Sequence, residues 1–249
     1  MNALPNMPET TCGADGTALR VWMFGTLDYS TFVRLQDQIR REVENGEAPT
    51  LLLCEISRFI SVGREGSWTH ILLDPEEDSD RACEVRWVAR GGGCWLHLPG
   101  QLMVAAILPL RRLGLTLGGH LHRLQTALRR VLAEHEVMNL TVEPYRYVLA
   151  GRRPVACLGA AVANDVTSYG AILNVNPLLE PYRRVLPGDR QRPMTSMARE
   201  CRRPLRPARV RERLMDHFTV AYGFARSTLF LEHPSVGHEN RSHAIPSPR

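Results

Sequence analysis

The sequence contains no lysine, and all 31 of its basic residues are arginine. This excludes any mechanism in which a lysine of this chain serves as nucleophile or titrating cation, because arginine stays protonated and cannot take those roles. Metal-ligand spacing is also missing. The six cysteines, at 12, 54, 83, 94, 157 and 201, form no Cys-x-x-Cys pair, so they read as reduced thiols. His120 and His122 fall on different faces of any helix, so with His135 they make no metal site and are expected on the surface. Long apolar runs are absent: the longest, residues 102–108, is too short to cross a bilayer, and residues 1–17 lack the apolar core of a secretory signal. Together these absences point to a cytoplasmic protein with no membrane partner.

What is present fits one mixed α/β domain. The chain has 249 residues, 44% of them hydrophobic, enough for a sizeable core. Residues 1–18 read as a loose lead-in, 19–228 as the domain and 229–249 as a disordered polar tail. Phe32, Leu35 and Ile39 recur at helical spacing behind Asp28 or Ser30 as a cap, with Asn45-Gly46 as the stop. Buried strands are expected at 50–56 and 102–108, and shorter ones at 84–89, 138–143 and 145–150. Two more helices are expected, at 117–135 and 207–223, the second stopped by Gly223. Residues 74–82 form an acidic turn.

The densest chemistry lies in residues 90–101: Arg90, Gly91, Gly92, Gly93, Cys94, Trp95, Leu96, His97, Leu98, Pro99, Gly100 and Gln101. Glycines allow a backbone to approach a ligand closely, arginine offers a fixed fork of donors, and histidine can donate or accept. Such a loop can cradle a carboxylate, a phosphate or a thioester carbonyl. The pattern Arg-Gly-Gly, four residues on to His, then Pro-Gly-Gln, resembles the signature loop of the octanoyltransferase (lipoate–protein ligase B) family. Further blocks at 59–67, 111–115, 151–159, 167–177 and 190–200 resemble that family in the same order, across roughly residues 20–225. The resemblance implies a biotin/lipoate protein ligase fold, with a central mixed sheet flanked by helices. It implies no cofactor. Its activity would be transfer of an octanoyl group from acyl-carrier protein to a lysine of a lipoyl domain, and these two proteins would be the partners. The residues it assigns to substrate binding are Arg90, Gly91, Gly92, Gly93 and His97, with Cys157, Leu158, Gly159, Gly170, Ala171 and Ile172 on two pocket strands.

The chain departs from the family where the chemistry should be. Inside the loop, Trp95 and Leu96 stand where the family has Thr and Tyr, and Leu98 where it has Gly. Tyr169 replaces the usual His. The family mechanism uses a cysteine thiolate and a lysine that lowers its pKa, since an adjacent cation favours the charged form. Pro154 occupies the lysine position, and the cysteine is deleted between Pro187 and Gly188. Cys157, Cys94 and His97 are the substitute candidates, with Arg153 as a stand-in cation. An ATP-using lipoate ligase would again need a lysine. The resemblance therefore supports a catalytically degenerate member that keeps an acyl or acyl-carrier pocket, with a working transferase using Cys157 or Cys94 as the alternative. Arg199 to Arg213 carries seven arginines, a docking face for an acidic partner or simply a solvated helix approach. It lacks the interleaved aromatics of a nucleic-acid site, so nucleic acid is not an expected partner.

Overall fold

The computed structural model describes residues 16–72, 83–186 and 192–233. The acidic turn at 74–82 and the gap between Pro187 and Gly188 therefore lie outside the described residues, as does most of the lead-in and tail.

In chain order the elements are strand β1 (Ala18–Leu27), helix α1 (Tyr29–Glu44), β2 (Thr50–Ile56), β3 (Phe59–Val62), β4 (Val85–Trp87), β5 (Cys94–His97) and β6 (Gln101–Ile107). They continue with α2 (Leu117–Glu134), β7 (Leu140–Glu143), β8 (Tyr147–Ala150), β9 (Arg153–Ala163), β10 (Val166–Asn174), α3 (Met197–Cys201), α4 (Pro207–Tyr222) and β11 (Arg226–Phe230). Eight strands form one mixed sheet in the order β11-β1-β2-β6-β10-β9-β8-β7, and β4-β3-β5 form a second, smaller sheet. β1 runs parallel to both β11 and β2, whereas the pairs from β2 to β7 are antiparallel.

Side-chain alternation divides the core. Leu51, Leu53, Leu102, Val104 and Ala106 face α2 and α4, while Leu52, Cys54, Met103, Ala105 and Ile107 face α1. β2 and β6 are thus covered on both sides, which is why they read as continuous apolar runs. Asp28 caps α1 by accepting from the Thr31 amide at 2.9 Å, and Thr116 caps α2 by accepting from Gly119 at 3.0 Å. Gly223 ends α4 in the left-handed conformation. None of the described helices is long and apolar enough to cross a membrane.

Three expectations need correction. β11 carries the sheet to Phe230, past the boundary expected at 228, because it pairs with β1 and its Phe230 ring stacks on Trp22 at 4.6 Å. His120 is fully buried, not exposed: its Nδ1 lies 2.8 Å from the Tyr222 hydroxyl of α4, and burial pulls its pKa down to about 4. His135 is buried as well, with Nδ1 2.9 Å from the Val131 carbonyl, while His122 is exposed as expected.

Candidate acyl site

The small sheet packs its β3–β5 pair over the α1 face of the large sheet. Opposite Phe59 lies His97, and opposite Ser61 lies Trp95. Phe59 and Trp95 join the core cluster on the α1 face, whereas Ile60, Val62, Cys94 and Leu96 form a separate cluster with Val185. The turn after β3 and the loop before β5 are stitched together by main-chain bonds. Gly63 donates to the Gly93 carbonyl at 3.1 Å, Arg64 to Arg90 at 3.0 Å and Glu65 to Gly92 at 3.1 Å. Gly91 donates to the Ala160 carbonyl at 3.0 Å, which fastens the loop to β9. At that crossing a Cβ on Gly159 would come within 2.3 Å of the Gly91 oxygen, so only glycine fits.

Arg90 is the central strut of this loop. It is 0% exposed and spends its donors on the protein: Nη1 on the Gly91 and Gly93 carbonyls (both 3.0 Å), Nη2 on the Ser61 carbonyl (2.9 Å) and hydroxyl (2.7 Å). Its guanidinium also stacks on the Trp95 ring, 3.5 Å from the centroid. Burial pulls its pKa to about 9, which still leaves it charged at neutral pH. The Ser61 hydroxyl in turn lies 2.9 Å from His97 Nε2, and the His97 ring stacks on Phe59 at 4.1 Å. Burial, assisted by the Arg90 charge, holds the His97 pKa well below the usual imidazole range. A hydroxyl that accepts from Arg90 has its own proton available for Nε2, consistent with a neutral imidazole protonated at Nδ1. No sequence signal marked Ser61 as part of this chain of contacts.

Two small cavities adjoin these residues. The first, with about 250 Å³ of empty space including its solvent-open part, is lined by Cys94, Trp95, Cys157, Ile172, Asn174 and Tyr182 among others. The second, about 210 Å³ on the same measure, is bordered by Tyr29, Ser61, Arg90, Trp95, His97 and Tyr169 among others. The register Gly170↔Gly159, Ala171↔Leu158 and Ile172↔Cys157 brings the two strand triplets side by side. Alternation sends only Cys157 and Ile172 to the α1 face. Leu158 and Ala171 turn the other way, into the core with α2 and α4, so their side chains do not line the pocket. Tyr169, at φ +58°, is a bulky residue held in the left-handed region, with its amide bonded to Gln36 of α1 at 2.8 Å.

Cys157 and Cys94 line the first cavity and His97 the second, and among the described residues neither thiol is hydrogen-bonded to a histidine. Burial pushes the Cys157 thiol up to about 12, only partly offset by the Arg90 charge, and burial raises Cys94 too. Pro154, at the position the resemblance assigns to lysine, is buried, and its carbonyl accepts from the Thr195 amide at 3.0 Å. Arg153 is drawn away to Glu200, 2.9 Å distant, so it does not serve as the cation beside Cys157. The Pro-Gly-Gln turn is fixed by buried polar contacts. Glu55 accepts from the Gly100 amide at 2.9 Å and pairs with Arg211 at 3.2 Å; Gln101 donates to the Leu96 carbonyl and to Asn174, both at 3.0 Å. Of the seven arginines at 199–213, Arg203, Arg211 and Arg213 are engaged with Glu136, Glu55 and Glu134 respectively, which fixes part of that segment to the fold.

Residues 28–219 match the family model of the lipoyl protein ligase A/B catalytic domain. The chain is 31% identical over 209 residues to the octanoyltransferase of Roseiflexus sp. (strain RS-1), covering 82% of this chain and 87% of that protein. It is likewise 31% identical over 202 residues to the octanoyltransferase of Chloroflexus aggregans, covering 79% of this chain and 91% of the relative. The fold matches a bipartite lipoate protein ligase from Thermoplasma acidophilum with a TM-score of 0.68 at 13% identity, covering 87% of each chain. The fold is therefore that of the lipoate protein ligases, and the chain belongs to the octanoyltransferase family within the lipoyl protein ligase A/B catalytic domains.

Proposed function

We propose that this octanoyltransferase-family protein of lipoate biosynthesis keeps a site for an acyl thioester but does not carry out the transfer. The observation that supports this most directly is the environment of Pro154. A buried proline bonded through its carbonyl to Thr195 stands where a thiol-activating lysine would be, and the neighbouring Arg153 is committed to Glu200. The substitute nucleophiles gain little support. Burial pushes the Cys157 thiol up to about 12, which holds it protonated at neutral pH. Cys94 is raised by burial as well, and His97 is bonded to Ser61 rather than to either thiol.

In this reading the site is the loop of Arg90, Gly91, Gly92 and Gly93 together with His97, Cys157, Gly159, Gly170 and Ile172. Arg90 acts by holding the loop in shape, since its guanidinium donates to the Ser61, Gly91 and Gly93 carbonyls and to the Ser61 hydroxyl. The partners are an acyl-carrier protein and a lipoyl-domain protein. That inference rests on the octanoyltransferase relatives and on the lipoyl domain with which the Thermoplasma ligase was studied. Titration of the full chain with acyl-carrier protein bearing a non-transferable, amide-linked acyl chain of four or eight carbons tests it. At least one of the two acylated carriers is expected to bind about tenfold or more tighter than the unacylated carrier, a difference of about 1.4 kcal/mol. Equal affinity for acylated and unacylated carrier would contradict an acyl site.

A further inference from the structure

The α3–α4 junction concentrates positive charge that the fold does not neutralise. Residues 199–213 carry seven arginines against two glutamates. Arg203, Arg211 and Arg213 are held by glutamates elsewhere in the chain. Arg199, Arg202, Arg206 and Arg209 are exposed and pair with no carboxylate among the described residues. Glu200 turns to Arg153, and Glu212 pairs with none of the four.

Three of these arginines stand where local backbone physics favours another residue. Arg202 caps the C-terminus of α3 in the left-handed region, at φ 54°, a place that suits glycine or asparagine. Arg206 is the N-cap of α4 but offers no acceptor, so the helix lacks the side-chain cap that serine, threonine, aspartate or asparagine would give. Arg209 lies in the first turn of α4, which holds no acidic residue, so its charge adds to the positive end of the helix dipole. At each position arginine is unfavourable for the fold. A local conflict that nothing inside the molecule offsets marks a surface completed by a partner.

The junction is also fixed in place beside the candidate site. Asn176 bonds Leu205 twice, donating to its carbonyl at 2.7 Å and accepting from its amide at 3.3 Å, while Ala198 donates to the Val175 carbonyl at 3.0 Å. These contacts fasten the junction to the end of β10, two residues beyond Asn174, which borders the first cavity. Residues 199–213 include no aromatic side chain, and Leu205 and Val210 are buried. Nucleic-acid bases would find nothing to stack on and a bilayer nothing apolar to receive, so the face suits an acidic protein surface.

We infer that Arg199, Arg202, Arg206 and Arg209 form the docking face for an acidic surface of the acyl-carrier protein. The inference rests on the acyl-site reading given above: a protein that holds an acyl thioester without transferring it must engage the donor, whereas the acceptor domain is needed only for transfer. Docking here brings the carrier to the end of the sheet where Asn174 borders the site.

The test compares the full chain with a triple variant, Arg202→Gly, Arg206→Asp and Arg209→Glu, which gives each position a residue its backbone favours. Wild type is expected to bind the unacylated carrier, about tenfold more weakly in about 0.5 M than in about 0.05 M sodium chloride. The variant is expected to melt no lower than wild type, yet to bind the unacylated carrier at least about tenfold more weakly and with little salt dependence. A purely structural role for these arginines cannot hold stability while lowering binding. Arg206→Asp alone, expected to cost about threefold, carries the test if the triple variant does not fold. Docking and acyl binding are read separately, because the preference for acylated over unacylated carrier should survive in the variant. Loss of that preference with the arginine dependence intact counts against the acyl site alone. Unchanged affinity of a folded variant, binding that salt does not weaken, or no binding of the carrier by wild type overturns the docking face. Tighter binding of an apo lipoyl domain or a DNA duplex than of the carrier, through these same arginines, overturns it as well.

Discussion

Arg90→Ala is expected to lower the free energy of unfolding by about 3–5 kcal/mol, the scale seen when one partner of a buried charged contact is removed. The substitution strips donors from the carbonyls of Ser61, Gly91 and Gly93, of which Gly93 keeps the Gly63 amide, and a buried acceptor left unpaired costs about 1–3 kcal/mol. It also removes the guanidinium from the face of Trp95. Relief of the desolvated charge offsets part of this, which keeps the total from being the simple sum. Urea unfolding followed by tryptophan fluorescence measures the change. Arg90→Lys should fall between, since one ammonium keeps the charge but cannot reproduce the planar fork. A loss below about 1 kcal/mol for Arg90→Ala would mean that the loop does not depend on its strut.

Gly159→Val probes the same loop from the opposite side and is expected to cost about 3 kcal/mol, the upper end for overpacking. The new Cβ would meet a backbone oxygen at 2.3 Å, and the loop cannot retreat without breaking the Gly91–Ala160 hydrogen bond. The displaced loop would carry Arg90 and Trp95 with it, so a changed tryptophan emission should accompany the destabilisation. Gly25→Ala is the control: nothing lies within 4 Å of its Cβ position and no positive φ is involved, so its effect should stay within about 0.5 kcal/mol. Similar losses at the two positions would contradict the close crossing of loop and strand.

Much of this fold is legible in the sequence because the relevant signals are local. Asp28, the Phe32-Leu35-Ile39 stripe, the apolar runs of β2 and β6 and Gly223 each act through neighbours a few residues away, and each stands where its pattern places it. What was not legible depends on long-range pairing. β11 exists as a strand through its parallel register with β1, about two hundred residues earlier, and its five residues show no burial alternation of their own. His120 is buried because α4 supplies Tyr222 from 102 residues away. The signature loop marked Arg90 and His97, but only the assembled structure brings in Ser61 and shows the guanidinium turned inward on the loop itself. The strand triplets illustrate the same limit: a three-residue match cannot say which residues face the pocket, and alternation across the sheet removes Leu158 and Ala171 from it.

These observations share a physical theme. The candidate site is built from buried groups: two thiols raised by burial, an imidazole held well below its usual range, and a cation that stays charged and is engaged by main-chain oxygens and the Ser61 hydroxyl. The mechanism that the family resemblance implies pairs a thiolate with a lysine, and the sequence has no lysine.

The central claim, a retained acyl site without transfer chemistry, is tested most directly by intact-mass spectrometry. The full chain would be mixed with octanoyl- or butyryl-acyl-carrier protein and an apo lipoyl domain that an active family member is shown to modify. The account predicts unchanged masses for both the protein and the lipoyl domain. An acylated lipoyl domain, or an acyl adduct on this chain mapped to Cys157 or Cys94, would contradict it.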